Sequence, residues 1–275
     1  MNEGFGARLA HRIHDTSALC MGIDPSRQTL VAWGLSDDVV SMRAFCATML
    51  DATQQAGVGI VKPQSAYFER LGWQGVQVLA EICQQARSAD LVVILDAKRG
   101  DIGSTCEGYA QAYLAPDAPI KADALTVNPF LGLDTLGAFI VACDSNDAGV
   151  FLLCRTSNPG AGAIQGAQTS GSTLSETVKR YALARNATGA QPGPVGLVVG
   201  ATVTGQINLA GFNGPVLAPG LGAQGGTMQA LLDLGVDKGQ LVIPVSRHLS
   251  GLGPDAGRIA VMANQLMGDL TLAGL

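Results

Sequence analysis

Charge is scarce in this sequence. Of its 275 residues only 14% are Asp, Glu, Lys or Arg, the net charge is −5, and Lys and Arg nowhere form a run. Without a basic footprint, duplex nucleic acid is disfavoured as the main partner, because affinity for it rests on contacts to phosphates. Long hydrophobic runs are missing too. No stretch reaches the roughly 18 uninterrupted apolar residues of a membrane span, and the N-terminal MNEGFGARLAHRIHDTSALC has no apolar core suited to a secretion signal. The six cysteines (Cys20, Cys46, Cys83, Cys106, Cys143 and Cys154) make no C-x-x-C pair, and several sit inside apolar runs. This argues against a disulfide framework or a zinc site, and for small buried hydrophobes in a reducing cytoplasm. The three histidines, His11, His14 and His248, are too few and too scattered for a histidine metal cluster. No G-x-x-x-x-G-K-[ST], G-x-S-x-G or H-E-x-x-H motif occurs.

What is abundant is apolar sequence, 47% of the chain, enough for a sizeable core. It is distributed in eight short runs: 18–24 (ALCMGID), 58–64 (VGIVKPQ), 91–98 (LVVILDAK), 124–129 (ALTVNP), 149–157 (GVFLLCRTS), 195–202 (VGLVVGAT), 215–222 (PVLAPGLG) and 241–249 (LVIPVSRHL). Most are continuously apolar, as parallel strands buried on both faces are. Between them lie stretches with three- and four-residue apolar spacing, at 38–56, 73–88, 174–186 and 255–270; Val76, Leu79, Ile82 and Cys83 are one such face. Strand and helix therefore alternate along the chain, and eight units in this length predict a single-domain α/β fold, a (β/α)8 TIM barrel over 1–275. A doubly wound open sheet is the rival. The segment 158–173 (NPGAGAIQGAQTSGST) breaks the rhythm and reads as an extended loop after the fifth strand.

The C-terminal ends of the apolar runs carry Asp24, Lys62, Asp96 with Lys98, Asn128, Ser157, Thr202, Gly220 with Gly222, and Arg247. A barrel builds its active site at these ends, and charged groups are rarely buried there without partners. The densest cluster is ILDAKRGDIGST at 94–105, where Asp96 and Lys98 are two apart on one strand face and Asp101 follows. Such a cluster can be a structural ion-pair network. It can also hold Lys98 as an ammonium between carboxylates, a proton donor rather than a Schiff-base nucleophile, which needs the neutral amine. The glycines of PGLGAQGG, at 220, 222 and 225, have a dinucleotide-like spacing. They fall in the seventh unit rather than the first, so they fit a close backbone approach to phosphate better than a nicotinamide or flavin site. Arg247 stands at the end of the eighth run, where a phosphate-binding guanidinium belongs.

The segment Asp96-Ala97-Lys98-Arg99-Gly100-Asp101-Ile102-Gly103-Ser104-Thr105 resembles the D-x-K-x-x-D-[IV]-x-x-T signature of the orotidine 5′-monophosphate decarboxylase family, and VKPQSAYFE and RTSNPG resemble its longer bacterial branch. The resemblance implies a cofactor-free, metal-free carboxy-lyase of pyrimidine biosynthesis. In it Lys98 protonates C6, Asp96 sits beside the substrate carboxylate, and Lys62 and Asp24 contact the ribose. Ser157 holds the pyrimidine, Gln224 and Arg247 grip the phosphate beside Gly222, and Asp101 and Thr105 reach the neighbouring site of a homodimer. A magnesium-dependent sugar-phosphate lyase of the same superfamily and a non-catalytic phosphate-ligand binding protein are the alternatives.

Overall fold

The computed structural model describes residues 4–169, 171–188, 191–203, 205–222 and 225–275. The eight apolar runs become the eight strands of a closed parallel barrel. These are β1 (Leu19–Ile23), β2 (Ile60–Pro63), β3 (Val92–Arg99), β4 (Ala124–Val127), β5 (Gly149–Arg155), β6 (Val195–Val199), β7 (Val216–Leu217) and β8 (Leu241–Val245). They follow chain order around the barrel, and β8 pairs with β1 to close it, with Leu19 beside Ile243. Every residue of β1, β2, β4, β6, β7 and β8 is buried, which is why these segments lack the alternation of a half-exposed sheet. β3 is buried from Val92 to Asp96 and emerges only in its last three residues.

The four stretches with helical spacing are helices Val39–Ala56, Gly72–Ser88, Leu174–Asn186 and Ala256–Ala273. Their ends have identifiable causes. The Asp38 carboxylate accepts the Ser41 N–H at 2.8 Å to start one, and Gly57 ends it in the left-handed conformation. Asp255 caps Ala256–Ala273 in the same way through Arg258 N, at 3.0 Å. An N-terminal helix, Phe5–Asp15, packs against the barrel. The Phe5 ring meets Phe151 edge-on at 6.3 Å, and it lies so close to Gly149 that a Cβ there would be 2.1 Å from it, which explains the glycine opening β5.

The repeats are less even than the sequence suggests. Among the described residues no helix connects β6 to β7, and only a short one, Met228–Leu232, and a 3-10 turn precede β8. The expected loop 158–173 is not featureless either. It contains a short helix, Ala161–Gln165, and a two-stranded antiparallel hairpin of Gln168–Thr169 and Ser172–Thr173. Gln165 anchors this excursion to the end of β5. Its Oε1 accepts the Thr156 N–H at 2.8 Å and its Nε2 donates to Thr156 Oγ1 at 2.9 Å. All six cysteines are free and buried. Burial pushes the Cys20 and Cys83 thiols up to about 12, so these side chains serve as packing groups. Among the described residues no helix is long and apolar enough to cross a membrane.

Candidate active site

A cavity of about 1180 Å³ is lined by residues from the C-terminal ends of the strands, the face on which barrels carry their chemistry. Its wall includes Asp24 after β1, Lys62 on β2, Asp96 and Lys98 on β3, Ser157 after β5 and Arg247 after β8. Six of the sequence-predicted positions therefore converge on one space. Asp101, Thr105 and Gly222 do not line it. Asp101 is half-buried, with its carboxylate accepting the Ile102 N–H at 2.8 Å, and Thr105 is exposed. Gly222 lies beyond Gly220 and Leu221, which do line the wall. Gln224 falls outside the described residues.

Asp96 is the centre of the arrangement. Its Oδ2 accepts a hydrogen bond from Lys62 Nζ at 3.2 Å, and its Oδ1 accepts from Lys98 Nζ at 2.5 Å and from Thr126 Oγ1 at 2.9 Å. Asp96 and Lys62 are both buried, while the Lys98 side chain is 46% exposed and reaches out from the wall. Burial by itself raises the pKa of a carboxyl and lowers that of an ammonium. For Asp96 that burial effect is outweighed by Lys62, then Lys98, and by the hydrogen bonds from Lys98 and Thr126, which hold it down at about 2. For Lys62 burial pushes down, but Asp96 and then Asp24 push up by more, so its ammonium is held above the ordinary lysine range. The pair is therefore ionised across the neutral range, each charge the reason the other can be buried.

Backbone geometry explains how a strand end can present two such groups. Lys98 has φ of +48°, a left-handed conformation uncommon for a side chain of its size. The β3–β4 register slips between Leu95 and Arg99, so β3 bulges where the charges sit. Gly100 then passes the end of β4 so closely that a Cβ would lie 2.4 Å from the Asn128 carbonyl oxygen. Neither Thr126 nor Gln64 stands out in the sequence, yet both belong to the network. Gln64 accepts from Lys62 Nζ at 3.1 Å and donates to the Asp96 carbonyl oxygen at 3.2 Å. The only sequence signal was their place in a run, Gln64 closing VGIVKPQ and Thr126 interrupting the apolar ALTV.

Three arginines, Arg27, Arg70 and Arg247, also line the wall. Arg70 and Arg27 share Asp37, at 2.6 and 3.8 Å. Among the described residues Arg247 makes no ion pair, which leaves its guanidinium available to an anion. His248 also faces the cavity. The Oδ1 of Asp24 is buried with no hydrogen-bond partner among the described residues, as is the Oγ of Ser246. A buried carboxylate oxygen without a donor suits a ligand hydroxyl. The wall thus offers a cation–carboxylate–cation array at one point, an acceptor for a hydroxyl and an unpaired guanidinium elsewhere. Among the described residues no cluster of three or more His, Cys, Asp or Glu side chains is placed to hold a metal ion.

The chain is similar to several known proteins. A family model described as the Orotidine 5′-phosphate decarboxylase / HUMPS family matches residues 17–255. The chain is 44% identical to an orotidine 5′-phosphate decarboxylase of Salinispora arenicola, covering 98% of both chains. It is 42% identical to one of Streptomyces coelicolor over the same share of each. A crystal structure from Streptomyces avermitilis, provisionally assigned the same name, superposes with a TM-score of 0.94 at 41% identity, covering 99% of this chain and 96% of that one. The Leishmania donovani OMP decarboxylase superposes at 0.78 with 30% identity over 98% of each.

Proposed function

The chain belongs to the orotidine 5′-phosphate decarboxylase family, and from that premise we propose how its cavity converts orotidine 5′-monophosphate to uridine 5′-monophosphate and CO2, a step of pyrimidine biosynthesis. The observation that carries the reading is the Lys62–Asp96–Lys98 array at the barrel mouth. Cleavage of the bond from C6 to the carboxylate leaves an electron pair on C6, with no conjugated carbonyl to accept it. The Lys98 ammonium stabilises that developing charge and delivers its proton to C6. It acts more strongly on the transition state than on the bound substrate, which is the condition for raising the rate of the chemical step. Asp96 holds the ammonium in place and lies beside the substrate carboxylate. Asp24 and Lys62 take the ribose hydroxyls, Ser157 the pyrimidine, and Arg247, with Gln224 and the glycine turn through Gly222, the phosphate. The fixed dipoles cost no reorganisation when the reaction occurs.

Because none of these roles needs a metal or an organic cofactor, protein treated with a chelator is expected to decarboxylate orotidine monophosphate at its full rate. The ultraviolet change on loss of the C6 carboxylate reports it. Activity that returns only with added magnesium would instead favour a metal-dependent lyase of the same fold. Binding without turnover would favour a phosphate-ligand binding protein. The free thiols fit a reducing cytoplasm.

The working form of this enzyme is a homodimer in which Asp101 and Thr105 complete the neighbouring site. Both lie outside their own chain's cavity wall, and Ile102, between them in sequence, is 59% exposed. Mixing inactive Lys98→Ala and Asp101→Ala chains under exchange should restore about a quarter of wild-type activity, since half of the dimers are mixed and one site in each then has both native residues. Proven exchange with no recovery would sink the shared site.

A further inference from the structure

We propose that Thr126 is a positioning residue for the decarboxylation: its side-chain hydroxyl locks the Lys98 backbone and the Asp96 carboxylate into one rigid unit. The inference rests on the decarboxylase reading for its assay.

Leu95 pairs with Leu125 and Arg99 with Val127, so between these points β3 has Asp96, Ala97 and Lys98 where β4 has only Thr126. A regular parallel ladder cannot serve three residues from one. The Lys98 N–H would be left without a backbone partner, and it donates instead to Thr126 Oγ1 at 2.9 Å. The same Oγ1 lies 2.9 Å from Asp96 Oδ1. An amide N–H can only donate and an ionised carboxylate can only accept, so the hydroxyl proton points to Asp96. The result is a directed relay, N–H to O–H to carboxylate, through a side chain only 1% exposed.

This relay acts on Lys98 from two sides. It holds the backbone in the left-handed conformation, which is costly for lysine and persists only where its surroundings impose it. It also orients Asp96 Oδ1, the oxygen that receives Lys98 Nζ at 2.5 Å. One hydroxyl thereby fixes both ends of the lysine, its amide and its ammonium. A valine has the shape to fill the same buried space but leaves the Lys98 N–H unpaired and one lone pair of Asp96 without a donor. Serine retains both hydrogen bonds.

Thr126→Val and Thr126→Ala are expected to lower kcat by about 10- to 100-fold, the range for losing a hydrogen bond to a charged group that positions the reacting atom. KM should stay within a few-fold, because Thr126, although it lines the cavity, has its hydroxyl committed to the Lys98 N–H and Asp96 Oδ1. Thr126→Ser should return to within a few-fold of wild type. The acid limb of kcat/KM should move to higher pH in the valine and alanine variants and stay in place in the serine variant, since Asp96 loses a donor only in the former. If the valine variant does not fold, the serine and alanine variants still differ by the hydroxyl alone and decide the matter. Equal kcat in serine and alanine variants, or a loss confined to KM, overturns the proposal. Wild-type protein that does not decarboxylate the nucleotide overturns the functional reading instead, which separates the two failures.

Discussion

Lys98→Ala should reduce decarboxylation by at least roughly 10⁴-fold, the combined scale of a lost proton donor and a lost charge opposite the developing carbanion. Binding of uridine monophosphate, measured by calorimetry, should remain. The two outcomes separate because Lys98 makes its contribution only once charge develops at C6, whereas the product nucleotide is held at the ribose, ring and phosphate. The fold should be little affected. The Lys98 side chain is nearly half exposed, and its removal still leaves Asp96 paired with Lys62 and hydrogen-bonded to Thr126. Melting temperature is therefore the control: a variant that is inactive yet melts near wild type has lost chemistry, not structure. Retention of a few per cent of activity would mean another group protonates C6. Loss of nucleotide binding in parallel with turnover would mean Lys98 supplies uniform binding rather than transition-state stabilisation.

The parts of this molecule that follow from burial were legible in the sequence. β1, β2, β4, β6 and β8 are buried at every position, and a segment with no solvent face has no choice but to be apolar throughout. The polar residues that end these runs were legible for the same reason, as exceptions to an otherwise unbroken pattern. Lys62 and Asp96 are conspicuous because nothing near them in sequence explains a buried charge. Thr126 was not legible, since one threonine inside a strand is unremarkable and its role exists only through a β3–β4 register slip that no local pattern encodes. Gln64 is hidden similarly: its partner Asp96 is 32 residues away and is reached through side-chain geometry. The uneven sixth and seventh units escaped because the strand signal continues regularly while, among the described residues, no helix lies between them. A closed barrel tolerates that omission, since the sheet ladder continues through β6 and β7 without it.

Asp96→Asn should destabilise the fold at neutral pH by about 3–5 kcal/mol, the usual cost of removing one partner from a buried ion pair. The substitution keeps the volume and can keep a hydrogen bond to Thr126, but it leaves the buried Lys62 ammonium without the carboxylate that contributes most to holding its charge. The pH dependence identifies the cause. The folded-state Asp96 carboxyl is held down at about 2, below its unfolded value of roughly 3.9. A depressed carboxyl contributes stability that is fully present above the unfolded value and is lost as pH falls through the folded one. The gap between wild type and Asp96→Asn in denaturant melts should therefore be wide at pH 7 and close as pH falls from about 4 to 2. Lys62 sets the opposite limb. Its folded value is raised, so its contribution in the wild type is present below the ordinary lysine range and is lost only as pH rises through the raised value. In Asp96→Asn the upward push from Asp96 is gone while burial remains, so Lys62 should release its proton at lower pH than in the wild type. The variant should then regain part of its deficit on the alkaline side before the wild type begins to lose stability. A deficit that is the same at pH 3 and pH 7 would mean that the substitution acts through packing, and that the Lys62–Asp96 pair is not what holds this end of the barrel together.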